Sequence, residues 1–250
     1  MQSDRTAYIR EVLLNRTEVP SFDAYPFCLP PVGQLDCLPL HPAVTFLVGE
    51  NGTGKSTLLE AIAVAYGFNA EGGSRNFSFS TRESHSELAK YITLVKGTES
   101  PKDGYFLRAE SFFTVATEIE RLDSGGGGGR VIDAYGGKSL HEQSHGESFL
   151  SLLLHRFRGH GLYILDEPEA ALSPQRQLAL LRRIHHLVQD GSQFVIATHS
   201  PIVLAYPDAK IVSLSADGMS DTGYEDTDHY QLTLTFLQNP TRMLAAILED

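Results

Sequence analysis

Short apolar runs alternate with segments of helical periodicity along this chain. Four of them are mostly apolar runs of strand length, at residues 44–48, 161–165, 194–198 and 211–214. Two other segments, residues 57–64 and 174–188, instead place their apolar side chains at helical spacing. Continuous apolar strands that alternate with helices are typical of a parallel sheet that is buried on both faces. The pattern therefore predicts an α/β fold with a mostly parallel core sheet flanked by helices.

The remaining segments follow other patterns. Residues 69–104 are polar and rich in Gly and Ser, with short strand-like pieces at 77–80 and 92–95. Five consecutive glycines at 125–129 hold little regular structure and allow a neighbouring segment to swing. The tail, residues 229–248, predicts two helices that meet at Asn239-Pro240.

The clearest chemical signal lies between the strand at 44–48 and the helix at 57–64. It is a phosphate-loop motif, G-x-x-x-x-G-K-[ST], formed by Gly49, Glu50, Asn51, Gly52, Thr53, Gly54, Lys55 and Ser56. The N–H groups of such a loop, and of the helix start at Thr57, point at phosphate oxygens. Lys55 is expected to reach the β- and γ-phosphates, and the Ser56 hydroxyl to bind Mg²⁺. The chain is therefore predicted to bind a nucleoside triphosphate.

Two adjacent acids end the strand at 161–165. Asp166 and Glu167 lie where the carboxyl ends of parallel strands form a ligand crevice. Asp166 is expected to hold Mg²⁺, directly or through water, and Glu167 to act as the general base on the attacking water. The alternative is that these acids cap the next helix, because Glu169 and an Ala-Ala-Leu run follow at once.

Two further motifs accompany the acidic strand. His199 follows the strand at 194–198 and is expected to hydrogen-bond the γ-phosphate, the alternative being a buried histidine bonded to backbone. Upstream, Ser144, Gly146 and Glu147 begin an apolar helix. A hydroxyl, free N–H groups and the helix dipole favour an anion there, although the segment alone reads as an ordinary N-cap.

The order of these motifs resembles that of the ABC-type ATPase family, over about residues 44–214. The resemblance identifies residues 144–148 with the signature motif, residues 170–173 with the D-loop and His199 with the switch histidine. It implies ATP as the ligand, together with Mg²⁺. In the family, the signature of one subunit closes on the ATP held by the other, so a single copy of each motif implies an ATP-dependent homodimer.

The resemblance also implies an ABC-type P-loop fold in a single domain over residues 1–250. An antiparallel β arm would occupy about 69–104, and a small helical lobe about 111–158, hinged at the glycines 125–129. The signature differs from the common transporter wording Leu-Ser-Gly-Gly-Gln, since Gln143, His145 and Glu147 take its first, third and fifth places. It is more similar to the SMC, RecF and related soluble ATPases, and to compact bacterial stand-alone members of that branch.

Two features of the family pattern, the glutamine near Mg²⁺ and the aromatic residue that stacks on adenine, have no clear counterpart in this sequence. The family usually carries a glutamine near Mg²⁺, and residues 49–142 contain none, so we infer that Glu110 takes its place beside the metal. A carboxylate would attract metal more strongly but could not donate a hydrogen bond to water. An aromatic ring upstream of the phosphate loop often stacks on adenine in the family; Tyr25 or Phe27 could serve, and either could equally be a core residue.

Net charge and composition restrict the expected cellular location and binding partners of the protein. The formal net charge of −11 argues against nonspecific nucleic-acid binding by the whole surface. Two cysteines, the lack of a secretory leader and the lack of a long apolar run predict a cytoplasmic protein with no membrane span.

Three functions fit these residues. The first is a soluble ATP-hydrolysing dimerisation switch that acts on an unidentified protein or nucleic-acid partner, as in nucleic-acid maintenance or defence. The alternative is the nucleotide-binding subunit of an ABC transporter. The third is a nucleotide-dependent binding module that hydrolyses ATP slowly or not at all.

Overall fold

The computed structural model describes residues 7–74, 86–108 and 145–248, together with the single positions 117, 121, 132 and 137. Several predicted features lie outside the described residues: the strand-like piece at 77–80, the glycine run at 125–129, Glu110 and Ser144. Parts of the predicted β arm (69–104) and helical lobe (111–158) also fall there, so the division of the domain stays a prediction.

A six-stranded sheet forms the centre of the fold. Its strands, in spatial order, are β5 (Asp103–Arg108), β6 (Gly161–Asp166), β7 (Gln193–Ala197), β3 (Val44–Val48), β8 (Lys210–Ser215) and β9 (Gly218–Thr222). The strands from β5 to β8 are parallel to their neighbours, and β9 runs antiparallel to β8. The predicted mostly parallel sheet is therefore confirmed, with the four apolar runs as β3, β6, β7 and β8.

Helices cover both faces of this sheet. The helices in the described residues are α1 (Pro30–Gly33), α2 (Lys55–Tyr66), α3 (His145–Ser151), α4 (Pro174–Gln189), α5 (Pro201–Leu204), α6 (Asp228–Gln238) and α7 (Pro240–Leu248), of which α6 and α7 bury no residue. Short 3-10 turns span Arg16–Glu18 and Glu87–Lys90, and a π-helical turn spans Leu152–Arg156. The predicted helices at 57–64 and 174–188 are confirmed as α2 and α4, and the tail forms α6 and α7 as predicted.

The core has two layers because alternate strand residues point to opposite faces of the sheet. On one face, Leu58 and Ile62 of α2 pack with Leu47 and Ile164. On the other face, α3 and α4 pack with their own set of strand side chains, and Phe46, Tyr163, Phe149, Leu180 and Ile184 belong to that cluster. Every residue of β3, β6 and β7 is buried, which explains why these strands are continuously apolar in the sequence.

A second, antiparallel sheet lies beside the first. Its order is β2 (Cys37–Pro39), β1 (Ile9–Leu14) and β4 (Ile92–Lys96), so the predicted strand at 92–95 is present as β4. The buried side chain of Gln193 on β7 joins the two sheets. Its Oε1 accepts hydrogen bonds from the backbone N–H groups of Tyr8 and Ile9, both at 2.9 Å, and its Nε2 donates to the Ile9 carbonyl at 2.8 Å.

The strand register brings the motif-bearing loops to one edge of the central sheet. Asp166 at the end of β6 pairs with both Arg108 on β5 and Ala197 on β7, and Ala197 pairs in turn with Leu47 on β3. The loops that follow β3, β6 and β7 therefore leave the sheet side by side, at the edge where open α/β sheets bind ligands. In the part of the chain that the structure describes, no helix has both the length and the apolar character needed to cross a membrane.

Candidate nucleotide-binding site

The phosphate loop joins β3 to α2 through backbone conformations that need glycine. Gly49 has φ of 145°, and a Cβ at this position would lie 2.3 Å from the Leu214 carbonyl oxygen of β8. Gly54 has φ of 98° and forms the N-cap of α2, so it turns the chain directly into the helix. The Lys55 ammonium, which is buried, donates hydrogen bonds to the carbonyls of Gly49 at 2.7 Å and Glu50 at 2.9 Å.

A cavity of about 190 Å³ opens above this loop. Most of its lining comes from the loop and the first turn of α2, namely Asn51, Gly52, Gly54, Lys55, Ser56 and Thr57. Tyr25, Leu29 and Glu167 complete the lining. One acid from the end of β6 and one aromatic residue from before the loop therefore face the same space as the phosphate-binding residues.

The structure distinguishes the two aromatic residues, Tyr25 and Phe27, that the sequence offers for contact with adenine. Phe27 is only 3% exposed and packs edge-on against Tyr91, with ring centroids 5.1 Å apart, so it is a core residue. Tyr25 is 64% exposed, and its hydroxyl lies 2.9 Å from the Thr57 hydroxyl at the start of α2. Only Tyr25 of the two is placed to contact a ligand in the cavity.

Ser56 and Asp166, which the sequence predicts as metal ligands, lie in direct contact. The Ser56 hydroxyl donates a hydrogen bond to Asp166 Oδ1 at 3.0 Å. Mg²⁺ prefers oxygen ligands and is commonly held by one or two protein side chains together with substrate phosphates. A hydroxyl and a carboxylate at the mouth of a phosphate loop therefore fit Mg²⁺.

A cation also stands beside this carboxylate. Arg108 Nε lies 3.9 Å from Asp166 Oδ2, while Arg108 Nη1 lies 2.7 Å from Glu60 Oε2 on α2. Glu60 also accepts a hydrogen bond from the backbone N–H of Ser86 at 3.0 Å. Arg108 thus ties the end of β5 to α2 and places positive charge near Asp166.

Glu167 adopts an unusual backbone conformation. Its φ is 50°, a left-handed value that is uncommon for residues other than glycine. Its backbone N–H donates to the Ala197 carbonyl at 2.9 Å, and its side chain is 40% exposed and lines the cavity. Strained conformations of this kind cluster at functional sites, where the surrounding structure holds them in place.

His199 is held on three sides. Its backbone N–H donates to Glu169 Oε1 at 2.6 Å, and its ring Nδ1 lies 2.8 Å from Nε2 of His229 on α6. Its Nε2 atom is buried, lies 3.4 Å from Glu167 Oε1 and makes no hydrogen bond with the residues that the structure describes. The ring therefore bonds to another side chain and not to backbone, and Nε2 faces the Glu167 carboxylate.

Burial and neighbouring charges set the ionisation of the site. Burial lowers the pKa of the Lys55 ammonium, while the carboxylates of Glu167, Asp166 and Glu169 act in the opposite direction. Burial also lowers the pKa of His199, with help from the positive charge of Lys55 and from His229, whereas Glu167 opposes the shift. Burial raises the pKa of Glu169, although the hydrogen bond from the His199 backbone N–H favours its ionised form.

The described residues of the signature segment do not line this cavity. Gly146 on α3 is buried, and a Cβ there would meet the Ala171 carbonyl oxygen at 2.6 Å. Glu147 Oε1 lies 3.4 Å from Arg176 Nη2 on α4. Neither residue lines the cavity beside Lys55. The start of α3 lies instead against the segment at 170–173, through the contact of Gly146 with Ala171.

The structure thus gathers Lys55, Ser56, Asp166, Glu167 and His199 at one edge of the sheet. It also adds three residues that the sequence did not assign to the site, Glu169, Arg108 and His229. Glu169 is the second acid of the Glu-Pro-Glu run and was recognisable by its place beside Glu167. His229 stands 30 positions after His199 in a segment without a motif, so no local signal could have found it.

Family models and curated relatives match parts of this chain. Residues 32–142 match a family model described as "AAA domain", and residues 134–205 match one described as "AAA domain, putative AbiEii toxin, Type IV TA system". The ribose import ATP-binding protein RbsA of Yersinia pestis is 28% identical over an alignment of 190 residues. This alignment covers 69% of this chain but only 36% of RbsA. The chain therefore spans about a third of the length of that curated relative.

Two solved structures are also similar. One is an inward-facing conformation of a putative metal-chelate type ABC transporter, at a TM-score of 0.49 and 15% identity, covering 91% of this chain and 89% of that one. The other is the SMC head domain from Thermotoga maritima, at a TM-score of 0.44 and 16% identity, covering 86% of this chain and 98% of that one.

A phosphate loop after β3, with acids after the parallel strand β6, defines a P-loop nucleoside triphosphatase. The two family models match adjoining parts of the chain, and the motifs stand in the order Lys55, signature, Asp166, His199. The order of the motifs and the two family matches make this chain similar to the ABC-type P-loop ATPases. The family matches support ATP binding and, at a general level, ATP hydrolysis.

Proposed function

We propose that this chain is an ATP-driven dimerisation switch that hydrolyses ATP and acts on a soluble protein or a nucleic acid. The observation that carries the proposal is the position of Glu167, whose side chain lines the same cavity as Lys55 and Ser56. A carboxylate in that position can act on a water molecule beside a bound triphosphate, which a mere phosphate-binding loop would not require.

Each residue of the site has its own role in the proposed hydrolysis. Lys55 and the N–H groups of the phosphate loop hold the phosphates, and His199 donates from Nε2 to the γ-phosphate. Glu167 accepts a proton from the attacking water as the new bond to the γ-phosphorus forms and the bond to the bridging oxygen breaks. Ser56 and Asp166 would hold Mg²⁺, which neutralises charge on the phosphate oxygens.

A second copy of the chain would complete the site. Gly146 lies against Ala171 and Glu147 against Arg176, and neither residue lines the cavity of its own chain. We propose that the signature segment, residues 144–148, closes instead on the ATP held by a partner copy. We propose that ATP binding drives this pairing and that hydrolysis releases it.

The motif sequences and the curated relative favour different choices between a switch and a transporter subunit. The Ser144-x-Gly146-Glu147 signature favours the switch, and so does the Glu50-Asn51 wording of the phosphate loop. The match to RbsA favours the alternative, in which the chain is the nucleotide-binding part of a transport system. A cytoplasmic location suits both readings.

The Glu167→Gln variant tests the proposed reaction. Steady-state phosphate release should fall by about 10²- to 10⁴-fold, because the base is lost, while ATP binding is retained. Size-exclusion chromatography with light scattering should show an ATP-dependent dimer of this variant. Glu99→Gln, at an exposed position, is the matched control and should behave like the unchanged protein.

Two results would contradict the proposal. Phosphate release at the unchanged rate in Glu167→Gln would remove Glu167 as the base. A chain that binds ATP but releases no phosphate, even before mutation, would instead be a binding module.

The same variant identifies the partner. Locked by ATP, it serves as bait, and bound material is examined by mass spectrometry and nucleic-acid staining, with Lys55→Ala as the nucleotide-free control. An ATP-dependent soluble protein or nucleic acid supports the switch. A polytopic membrane protein in that fraction would make the chain a transport subunit.

A further inference from the structure

His229 meets the site from a helix that no nucleotide-binding motif includes. It is the second residue of α6, whose start is fixed by Thr227, the hydroxyl of which accepts a hydrogen bond from the Tyr230 N–H at 3.4 Å. Its Nε2 lies 2.8 Å from His199 Nδ1, and the two ring centroids are 4.9 Å apart. The C-terminal helices are therefore joined to the site through a direct imidazole–imidazole contact.

The two rings can share only one proton in this contact. A neutral imidazole carries one N–H donor and one bare nitrogen acceptor. Burial lowers the pKa of both His199 and His229, and the positive charge of Lys55 adds to the shift in each case, which favours two neutral rings. One ring must then donate and the other must accept.

The Glu167 carboxylate decides which ring donates. His199 Nε2 lies 3.4 Å from Glu167 Oε1. If His199 donated through Nδ1, its Nε2 would be bare and would set a lone pair against the carboxylate oxygen, which is repulsive. If His199 accepts at Nδ1, its proton sits on Nε2 and is attracted to that oxygen.

We propose that His229 is a positioning residue, which donates from Nε2–H to His199 Nδ1 and so holds His199 in the tautomer that carries its proton on Nε2. That proton faces the Glu167 carboxylate. Glu169 fixes the backbone of His199 through the 2.6 Å contact, and His229 fixes its ring. The tautomer follows from the geometry alone, whereas its effect on turnover rests on the proposed ATPase function.

Nitrogen-15 NMR of the imidazoles tests the tautomer without any nucleotide. The shifts distinguish a protonated ring nitrogen from a bare one, and the His199→Gln variant identifies the His199 signals among the ten histidines. In the unchanged protein at neutral pH, His199 should carry its proton on Nε2 alone. A proton on Nδ1, or an equal mixture, would overturn the proposal whatever the enzyme activity.

Variants of His229 then test the consequence. His229→Leu removes the donor and should give a mixture of His199 tautomers and a fall in kcat of about 3- to 10-fold, the net worth of one hydrogen bond, at unchanged KM for ATP. His229→Gln keeps an N–H at a similar distance and should restore the single tautomer and most of the rate. Thr233→Ala, exposed on the same helix, is the control.

The outcomes separate the two proposals. A single Nε2–H tautomer in a protein that never releases phosphate would keep the positioning role and refute the ATPase. A His229→Leu variant with an unchanged His199 tautomer, or with a changed tautomer and an unchanged kcat, would refute the positioning role. If that variant does not fold, the spectrum of the unchanged protein still decides the tautomer.

Discussion

The Ser56 hydroxyl donates a hydrogen bond to Asp166 Oδ1 at 3.0 Å, between residues that are 110 positions apart in the sequence. The contact joins the first turn of α2 to the carboxyl end of β6. It places two oxygen atoms where Mg²⁺ would meet the phosphates, while Arg108 stands on the other side of the carboxylate at 3.9 Å.

Asp166→Asn should therefore uncouple nucleotide binding from Mg²⁺. An amide keeps a similar shape and can still accept the Ser56 hydrogen bond, but it lacks the negative charge that attracts the cation. We expect the gain in ATP affinity on adding Mg²⁺ to fall by about tenfold or more, equivalent to about 1.4 kcal/mol. Fluorescent-nucleotide titration with Mg²⁺ and with a chelator measures both values.

Asp217→Asn, at an exposed position on the turn after β8, is the control for that experiment and should keep the full Mg²⁺ effect. An unchanged Mg²⁺ effect in Asp166→Asn would show that Asp166 is not the metal-binding carboxylate.

Gly49→Ala and Gly52→Ala should differ sharply in stability. The added Cβ at Gly49 would lie 2.3 Å from the Leu214 carbonyl oxygen, so β3 or β8 must move. The Cβ at Gly52 would have no heavy atom within 4 Å, and only its φ of 83° is unfavourable. Gly52→Ala should cost about 1–2 kcal/mol, or a few degrees in Tm, and Gly49→Ala clearly more. Thermal unfolding of the two variants side by side checks this, and equal shifts would contradict it.

The core of the site could be read from the sequence because its signals are local. The apolar runs that became β3, β6 and β7 are wholly buried, and each leads directly into a motif. Asp166 ends β6, His199 follows β7 by two residues, and Lys55 follows β3 by one loop. Parallel pairing then aligns the strand ends, so local patterns were enough to predict that these residues meet.

The remaining contacts are tertiary and carry no local pattern. Tyr25 and Phe27 lie two positions apart in a stretch rich in proline, yet one lines the cavity and the other packs against Tyr91. His229 reaches His199 only because α6 begins beside the end of β7. Such choices depend on how the elements pack, which spacing along the chain does not encode.

Glu169 should matter as a hydrogen-bond acceptor and not as a charge. Its Oε1 accepts the His199 backbone N–H at 2.6 Å, while burial raises its pKa. Glu169→Ala leaves that N–H unpaired and should lower the free energy of unfolding by about 1–3 kcal/mol. Glu169→Gln keeps an acceptor oxygen and should be tolerated. Chemical denaturation of both variants measures the difference, and equal losses would contradict the prediction.

The raised pKa of Glu169 also predicts a pH dependence. The folded protein keeps this proton to higher pH than the unfolded chain, so it binds more protons between the two pKa values. The contribution of Glu169 to the free energy of unfolding is therefore present at low pH and is lost as pH rises through the acid range. Glu169→Gln, which cannot ionise, should become more stable relative to the unchanged protein over that range. Denaturation curves at several pH values would show no such trend if Glu169 ionised normally.

Tyr25 should contribute to the binding of the base and not of the phosphates. Its ring is 64% exposed at the rim of the cavity, and its hydroxyl is engaged by Thr57 at 2.9 Å, which fixes the position of the ring. Stacking of a base on an aromatic side chain is worth about 1–3 kcal/mol. Tyr25→Ala should therefore weaken ATP binding by about 5- to 150-fold while leaving the affinity for inorganic triphosphate unchanged. Tyr25→Phe keeps the ring without the contact to Thr57 and should lose much less. Isothermal titration with both ligands gives the comparison, and an equal loss for ATP and triphosphate would mean that Tyr25 supports the phosphate loop and does not stack on adenine.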